Sequence, residues 1–108
     1  MSITTHVLDT AQGKPASGVP VTLELLEPQG WTRLGAGSTD ADGRLRTLQP
    51  GGPLRVGTYR LRFDTGAYLG QGAFFPEVSI VFAVREAEGH YHVPLLLSPF
   101  SYSTYRGS

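Results

Sequence analysis

His90-Tyr91-His92-Val93-Pro94-Leu95-Leu96-Leu97 is the stretch whose reading decides the fold. Successive side chains of a strand point to opposite faces. Val93, Leu95 and Leu97 then form one continuous apolar face, and His90, His92, Pro94 and Leu96 point the other way. The same two-residue period runs through Val19-Pro20-Val21-Thr22-Leu23-Glu24-Leu25, Tyr59-Arg60-Leu61-Arg62-Phe63 and Ser79-Ile80-Val81-Phe82-Ala83-Val84. In Thr4-Thr5-His6-Val7-Leu8, Val7 takes the core, and His6 points outward with Thr4 and Leu8.

Outward from these runs, Ile3 to Leu8, Trp31 to Gly37, Arg44 to Leu48 and Ser101 to Arg106 complete a set of about eight strands. Turn-rich segments separate them: Gly13-Lys14-Pro15, Pro28-Gln29-Gly30, Asp40-Ala41-Asp42-Gly43 and Gln49-Pro50-Gly51-Gly52-Pro53. Thr65 to Gly72 is the one candidate for a short helix, weakened by its glycines. Fourteen glycines and eight prolines in 108 residues fit many turns and short strands. The expected class is all-β, a β-sandwich built as a single domain over residues 1–108.

Composition excludes several functions. Nine basic residues balance nine acidic ones, so the chain has no electrostatic reason to bind nucleic acid or anionic lipid. No apolar run approaches the roughly 20 residues that span a bilayer. Met1-Ser2-Ile3-Thr4-Thr5-His6 lacks the basic stretch and apolar core of a signal peptide, so the cytoplasm is the expected compartment. The absence of cysteine removes disulfides, thiolate nucleophiles and cysteine metal sites.

Three histidines carry the chemistry that remains. His90-x-His92 sets two imidazoles on one side of a strand, a spacing some zinc sites use, with His6 available as a third ligand. No second-shell pattern is visible around the pair, so we read it as metal-free. A pair of exposed histidines without a role is the plainer alternative. Asp40-x-Asp42-Gly43 has the start of a calcium loop but not its glutamate, because Leu48 or Gln49 stands where that residue belongs, and it reads as a turn. Gly-x-Ser-x-Gly and phosphate-binding glycine loops are absent, and His6 followed by Asp9 is no evidence of a triad. The outward face carrying Leu8, Pro94 and Leu96 beside histidines is apolar enough to be covered by another subunit. The end of the chain, Phe100-Ser101-Tyr102-Ser103-Thr104-Tyr105-Arg106-Gly107-Ser108, is too aromatic for a fraying terminus and is expected to dock as a final strand.

Thr5-His6-Val7-Leu8-Asp9, Gly43-Arg44, His90-Tyr91-His92-Val93-Pro94-Leu95-Leu96-Leu97-Ser98-Pro99 and Tyr105-Arg106-Gly107-Ser108 together resemble the 5-hydroxyisourate hydrolases of the transthyretin-related family. Gly13-Lys14-Pro15-Ala16 and Phe74-Phe75-Pro76 extend the likeness over essentially the whole chain. The terminal tetrapeptide separates these hydrolases from transthyretin, the hormone carrier on the same fold. The resemblance implies a transthyretin-like sandwich of two four-stranded sheets with one short helix, a homotetramer, and active sites in a channel between dimers. It implies hydrolysis of 5-hydroxyisourate, a purine-derived small molecule, to 2-oxo-4-hydroxy-4-carboxy-5-ureidoimidazoline in urate degradation. It also implies that no metal or cofactor takes part.

Carried over residue by residue, the resemblance implies catalytic roles for His6, Arg44, His92 and Ser108, and substrate binding by His6, Arg44 and Tyr105. An imidazole with a pKa of about 6.5 suits activation of water near neutral pH. A guanidinium suits the oxyanion of a planar, urate-like ligand. The two histidines share the first task, and the sequence does not rank them. Ser108 and its carboxylate would orient a histidine or Arg44. Two other readings compete: a carrier of a small aromatic ligand, and a non-catalytic sandwich module, whose pattern Gly18-Val19-Pro20-Val21 also resembles. Neither gives a reason for the set His6, Arg44, His92 and Tyr105.

Overall fold

A computed structural model describes residues 2–49 and 51–108; Pro50, in the expected Gln49–Pro53 turn, lies outside the described residues. The strands are β1 (Ser2–Asp9), β2 (Lys14–Pro15), β3 (Pro20–Glu27), β4 (Gly30–Ser38), β5 (Arg44–Leu45), β6 (Gly57–Phe63), β7 (Val78–Val84), β8 (His90–Leu97) and β9 (Tyr102–Thr104). Helix α1 (Thr65–Leu69), followed by a 3-10 turn at Gly70–Gly72, lies between β6 and β7. One sheet has the order β4-β3-β6-β7. The other has the order β2-β1-β8-β9, with β5 also paired to β1. The sandwich of two sheets therefore forms as expected, and the two short strands β2 and β5 make its second layer five-stranded.

Alternation builds the core between the layers. Ile3, Val7, Val93, Leu95 and Leu97 from one sheet are buried against Val21, Leu23, Leu25, Leu61 and Phe63 from the other. At roughly 25 cal/mol per Å² of apolar surface, each such side chain stabilises the fold by about 1.5–3 kcal/mol before entropy is counted. The inward positions of β1 that are polar are satisfied locally. Thr5 donates to the Val93 carbonyl at 2.7 Å. Asp9, 2% exposed, accepts from the Gln12 amide and from the Tyr68 hydroxyl at 2.8 Å. Asp9 thus faces the interior while His6 faces outward, so the two form no catalytic pair. Tyr68 reaches Asp9 because α1 is started there by Asp64, whose carboxylate accepts from the Ala67 amide.

Three expected boundaries moved. Arg44 to Leu48 was expected as one strand, but pairing stops at Leu45. Leu45 and Leu48 are buried, and the chain leaves the ladder to lay them against Gly37 and Gly35 of β4. Gly35 has no room for a Cβ, because the Leu48 carbonyl occupies that space. Lys14-Pro15, expected in a turn, forms a two-residue ladder with β1. The last strand, expected over Ser101 to Arg106, closes at Thr104 and resumes as a single bridge between His92 and Gly107.

The Asp9–Tyr68 contact makes a test of the packing. Removal of the hydroxyl in Tyr68→Phe should cost about 1.5–3 kcal/mol, the range for hydrogen bonds to charged groups, read as a lower urea midpoint. Burial, the hydrogen bond to Asp9 and the Asp9 charge raise the Tyr68 phenol to about 12. Between about pH 10 and 12 the unfolded chain releases this proton while the folded chain holds it. Stability should therefore fall as pH rises through that window, and more steeply in the parent than in Tyr68→Phe.

Candidate active site

The two strands that carry the histidines pair in parallel, Ser2↔His90 through Asp9↔Leu97. On the outer face this register sets Thr4 beside His92 and His6 beside Pro94. On its other side β1 pairs with β5, placing Arg44 opposite His6. The bridge to Gly107 brings the tail against His92. Two rows of side chains therefore cross the sheet: Arg44, His6 and Pro94 in one, Thr4, His92 and Gly107 in the next.

Between them opens a cleft of about 390 Å³ whose lining includes Thr4, Arg44, Arg46, His90, His92 and Ser108. Of the residues expected from the sequence, Arg44, His92 and Ser108 come together in its wall. His6 stands beside Arg44 but is turned aside, and its Nε2 lies 2.8 Å from the Asp42 carbonyl oxygen. A carbonyl only accepts, so His6 carries a proton on Nε2.

Tyr105 is not in the cleft. It lines a neighbouring groove with Val81, Phe82 and Tyr91, and is 58% exposed. The cause lies one residue on. The Arg106 guanidinium stacks 4.5 Å from the Tyr91 ring centroid and donates to the His90 carbonyl at 3.1 Å. This clamp holds the tail to the edge of β8, and Tyr105 stands on the side nearer β7.

Arg44 is set by a tight turn. One Asp40 oxygen accepts from the amides of Asp42 and Arg44 at 2.8 and 3.0 Å, and the Gly43 amide donates to the Asp40 carbonyl. The hydrogen bond from the Arg44 amide holds the Asp40 carboxyl below its ordinary range. Gly43 sits at φ +76° with the Val7 carbonyl where a Cβ would be, which explains why glycine precedes the arginine. The Asp40 carboxylate is thus spent on backbone. Among the described residues, no group of three or more His, Cys, Asp or Glu side chains is placed to hold a metal ion.

Gly107 has a comparable constraint. A Cβ there would lie 2.5 Å from Cδ2 of His92 and 3.3 Å from Cγ of Pro94. Only a glycine lets the tail press on the imidazole, its amide donating to the His92 carbonyl at 2.8 Å. On another edge of the ring, Nδ1 lies 2.8 Å from the Thr4 hydroxyl. Burial is the main cause that lowers the pKa of His92, followed by the charges of His6, Arg44 and Arg46; hydrogen bonding to the Thr4 backbone opposes it in part. His92 is therefore a neutral imidazole at pH 7, at the wall of an electropositive cleft. Three participants were missed in the sequence: Arg46, Thr4 and the packing role of Gly107. Arg46 follows Arg44 by two residues and Thr4 precedes His6 by two, so the strand period was the available signal.

The chain matches the HIUase/Transthyretin family over residues 3–107. A 5-hydroxyisourate hydrolase of Salmonella typhimurium is 48% identical over 109 residues, which cover 98% of this chain and 80% of that one. The solved structure of Klebsiella pneumoniae 5-hydroxyisourate hydrolase is similar with a TM-score of 0.86 at 37% identity, covering 99% of this chain and 98% of that one. Transthyretin from Sparus aurata is similar with a TM-score of 0.89 at 36% identity, covering 97% and 95%.

The electrostatics of the cleft can be tested without substrate. Arg46→Gln removes a positive charge that disfavours the imidazolium, so the His92 titration midpoint should rise toward the ordinary value of about 6.5. An NMR pH titration of the imidazole resonances checks it. A midpoint that is unchanged, or that falls, would show that Arg46 does not act on His92.

Proposed function

We infer the function from a premise the comparisons establish, that this chain belongs to the HIUase/Transthyretin family: it is a 5-hydroxyisourate hydrolase. It hydrolyses 5-hydroxyisourate to 2-oxo-4-hydroxy-4-carboxy-5-ureidoimidazoline in urate degradation. The observation that carries this reading is the convergence of Arg44, His92 and Ser108 on one polar cleft. A carrier of an aromatic ligand would be served by an apolar wall, and this wall holds two guanidiniums and two imidazoles.

In the mechanism we propose, His92 is the general base. Its depressed pKa keeps it neutral, and Nε2, which makes no hydrogen bond among the described residues, takes a proton from the attacking water. Attack on the ring carbonyl forms a carbon–oxygen bond and places negative charge on the carbonyl oxygen. Arg44 stabilises that oxyanion, and Arg46 adds to the positive field. Collapse breaks the carbon–nitrogen bond of the cyclic amide. The proton held by His92 passes to the leaving nitrogen, and a carboxyl group results. His6 hydrogen-bonds the substrate through Nδ1 beside Arg44. Ser108 orients the water or the substrate at the other wall. No metal or cofactor is assigned a step.

We further propose that residues 1–108 act as one domain and assemble as a homotetramer in the cytoplasm. Among the described residues of the single chain, β7 and β9 end their sheets with unpaired edges. Exposed Val81, Tyr102 and Tyr105 lie along those edges, where a second copy can extend the sheets and cover them. In that assembly Tyr105 hydrogen-bonds substrate in the channel shared with a neighbouring subunit. No described helix is long and apolar enough to cross a membrane.

Decay of freshly generated 5-hydroxyisourate, followed by absorbance above the spontaneous rate, tests the reading. His92→Asn should lower kcat by about 10²–10⁴-fold, the usual contribution of a positioned base. The parent should lose activity as pH falls through an acid limb below about 6.5, because protonation removes the base. EDTA should leave turnover unchanged, and light scattering should give the mass of four chains. Turnover no faster than the spontaneous decay would overturn the function.

A further inference from the structure

We propose that Thr4 is a positioning residue that holds His92 as the Nδ1–H tautomer, leaving the Nε2 lone pair for the cleft. The inference rests on the reading of His92 as the base. The Thr4 hydroxyl lies 2.8 Å from His92 Nδ1 and makes no other side-chain hydrogen bond among the described residues. The contact is built into the backbone, since the parallel ladder sets Thr4 directly beside His92. Two residues back along the ladder, the same register sets Ser2 beside His90, with Ser2 Oγ 2.6 Å from His90 Nδ1. The two pairs differ in cover. His90 is exposed, whereas His92 is half-buried and pressed on its Cδ2 edge by Gly107.

A threonine hydroxyl donates or accepts, so it does not choose the tautomer alone. The cleft chooses it. Arg44 and Arg46 lie in the same wall as His92 and repel its positive charge. A lone pair turned toward two guanidiniums is favoured over an N–H turned toward them. The proton therefore sits on Nδ1, donated to Thr4 Oγ1. With Thr4 on one edge of the ring and Gly107 on another, the imidazole has no room to flip. Without the hydroxyl, the ring would lose its one side-chain partner among the described residues and keep only the Thr4 backbone beside it, and the proton would move to Nε2, where it blocks the base.

The test uses the full chain with 15N-labelled histidine, at a pH well above the imidazole range. In the parent, long-range 1H–15N spectra should place the His92 proton on Nδ1. Thr4→Val keeps the shape and removes the hydroxyl. It should move the proton to Nε2 and lower kcat on the order of 10–100-fold, as loss of an orienting partner does, with KM changed less and the melting temperature close to the parent. Thr4→Ser should restore both tautomer and turnover. A parent proton on Nε2, an unchanged tautomer in Thr4→Val, or a serine variant as slow as the valine one would overturn the proposal. The spectra need no substrate. A tautomer that shifts while turnover stays constant would therefore uphold the positioning role and remove His92 as the base.

Discussion

The parallel pairing of β1 with β8 is the constraint on which the rest depends. It joins the first strand of the chain to one near its end, in register from Ser2↔His90 to Asp9↔Leu97. The slanted hydrogen bonds of a parallel ladder keep equivalent positions side by side. Each inward pair then meets the core, Val7 with Leu95 and Thr5 with Val93, while two of the outward pairs, Ser2 with His90 and Thr4 with His92, join a hydroxyl to an imidazole. A slip of one residue would send every one of these side chains to the opposite face. His92 would enter the core and Val93 the cleft. Fold and site therefore share one register, and the apolar face of β8 enforces both.

Strong local hydrogen bonding keeps the acidic groups away from the cleft. Asp9 is held in the interior by Tyr68, and Asp40 by the amides of its own turn. On the far sheet Glu24 is bound by Arg60 at 2.6 Å, which lowers its pKa. The charged side chains that reach the cleft wall are cationic, Arg44 and Arg46, beside the imidazoles and Ser108. Unbalanced positive charge normally destabilises a folded chain by self-repulsion. Here the repulsion is partly relieved by keeping His92 neutral, and under the proposed function a neutral imidazole is the form the reaction needs. The same charges that depress its pKa would attract the oxyanion that forms beside it.

Much of this was legible in the sequence. The two-residue period found the long strands, turned His6 and His92 outward, and put Val7, Val93, Leu95 and Leu97 inside. The short helix after Thr65 formed where it was expected, because Asp64 caps it. Pairing between distant segments was not legible, since period alone does not say which strands are neighbours. The early end of β5 depended on Gly35 and Gly37, small residues whose value is the space they leave for Leu48 and Leu45. Tyr105 was assigned from the resemblance, and the strand expected to carry it stops at Thr104. The Arg106–Tyr91 stack that holds the tail to the sheet edge has no sequence signature. Thr4 was read only as an outward polar residue, because its importance comes from a partner 88 positions away.

The fold by itself does not separate a hydrolase from a carrier. The similarity to a hydrolase structure and to a transthyretin structure is nearly equal, with TM-scores of 0.86 and 0.89. Backbone geometry common to both must therefore tolerate either use, and the difference has to lie in side chains on one face of one sheet. Only a few positions are available. β1 and β8 give outward residues two apart, and β5 adds Arg44 at the edge. The tail can reach His92 only if the residue over the ring is glycine, because any Cβ at 107 would strike the imidazole. A larger residue there would lift the chain end off the sheet and open the cleft at the wall that Ser108 now lines. Within this backbone, a glycine one position before Ser108 is thus a condition for a closed polar site, independent of the chemistry carried out in it.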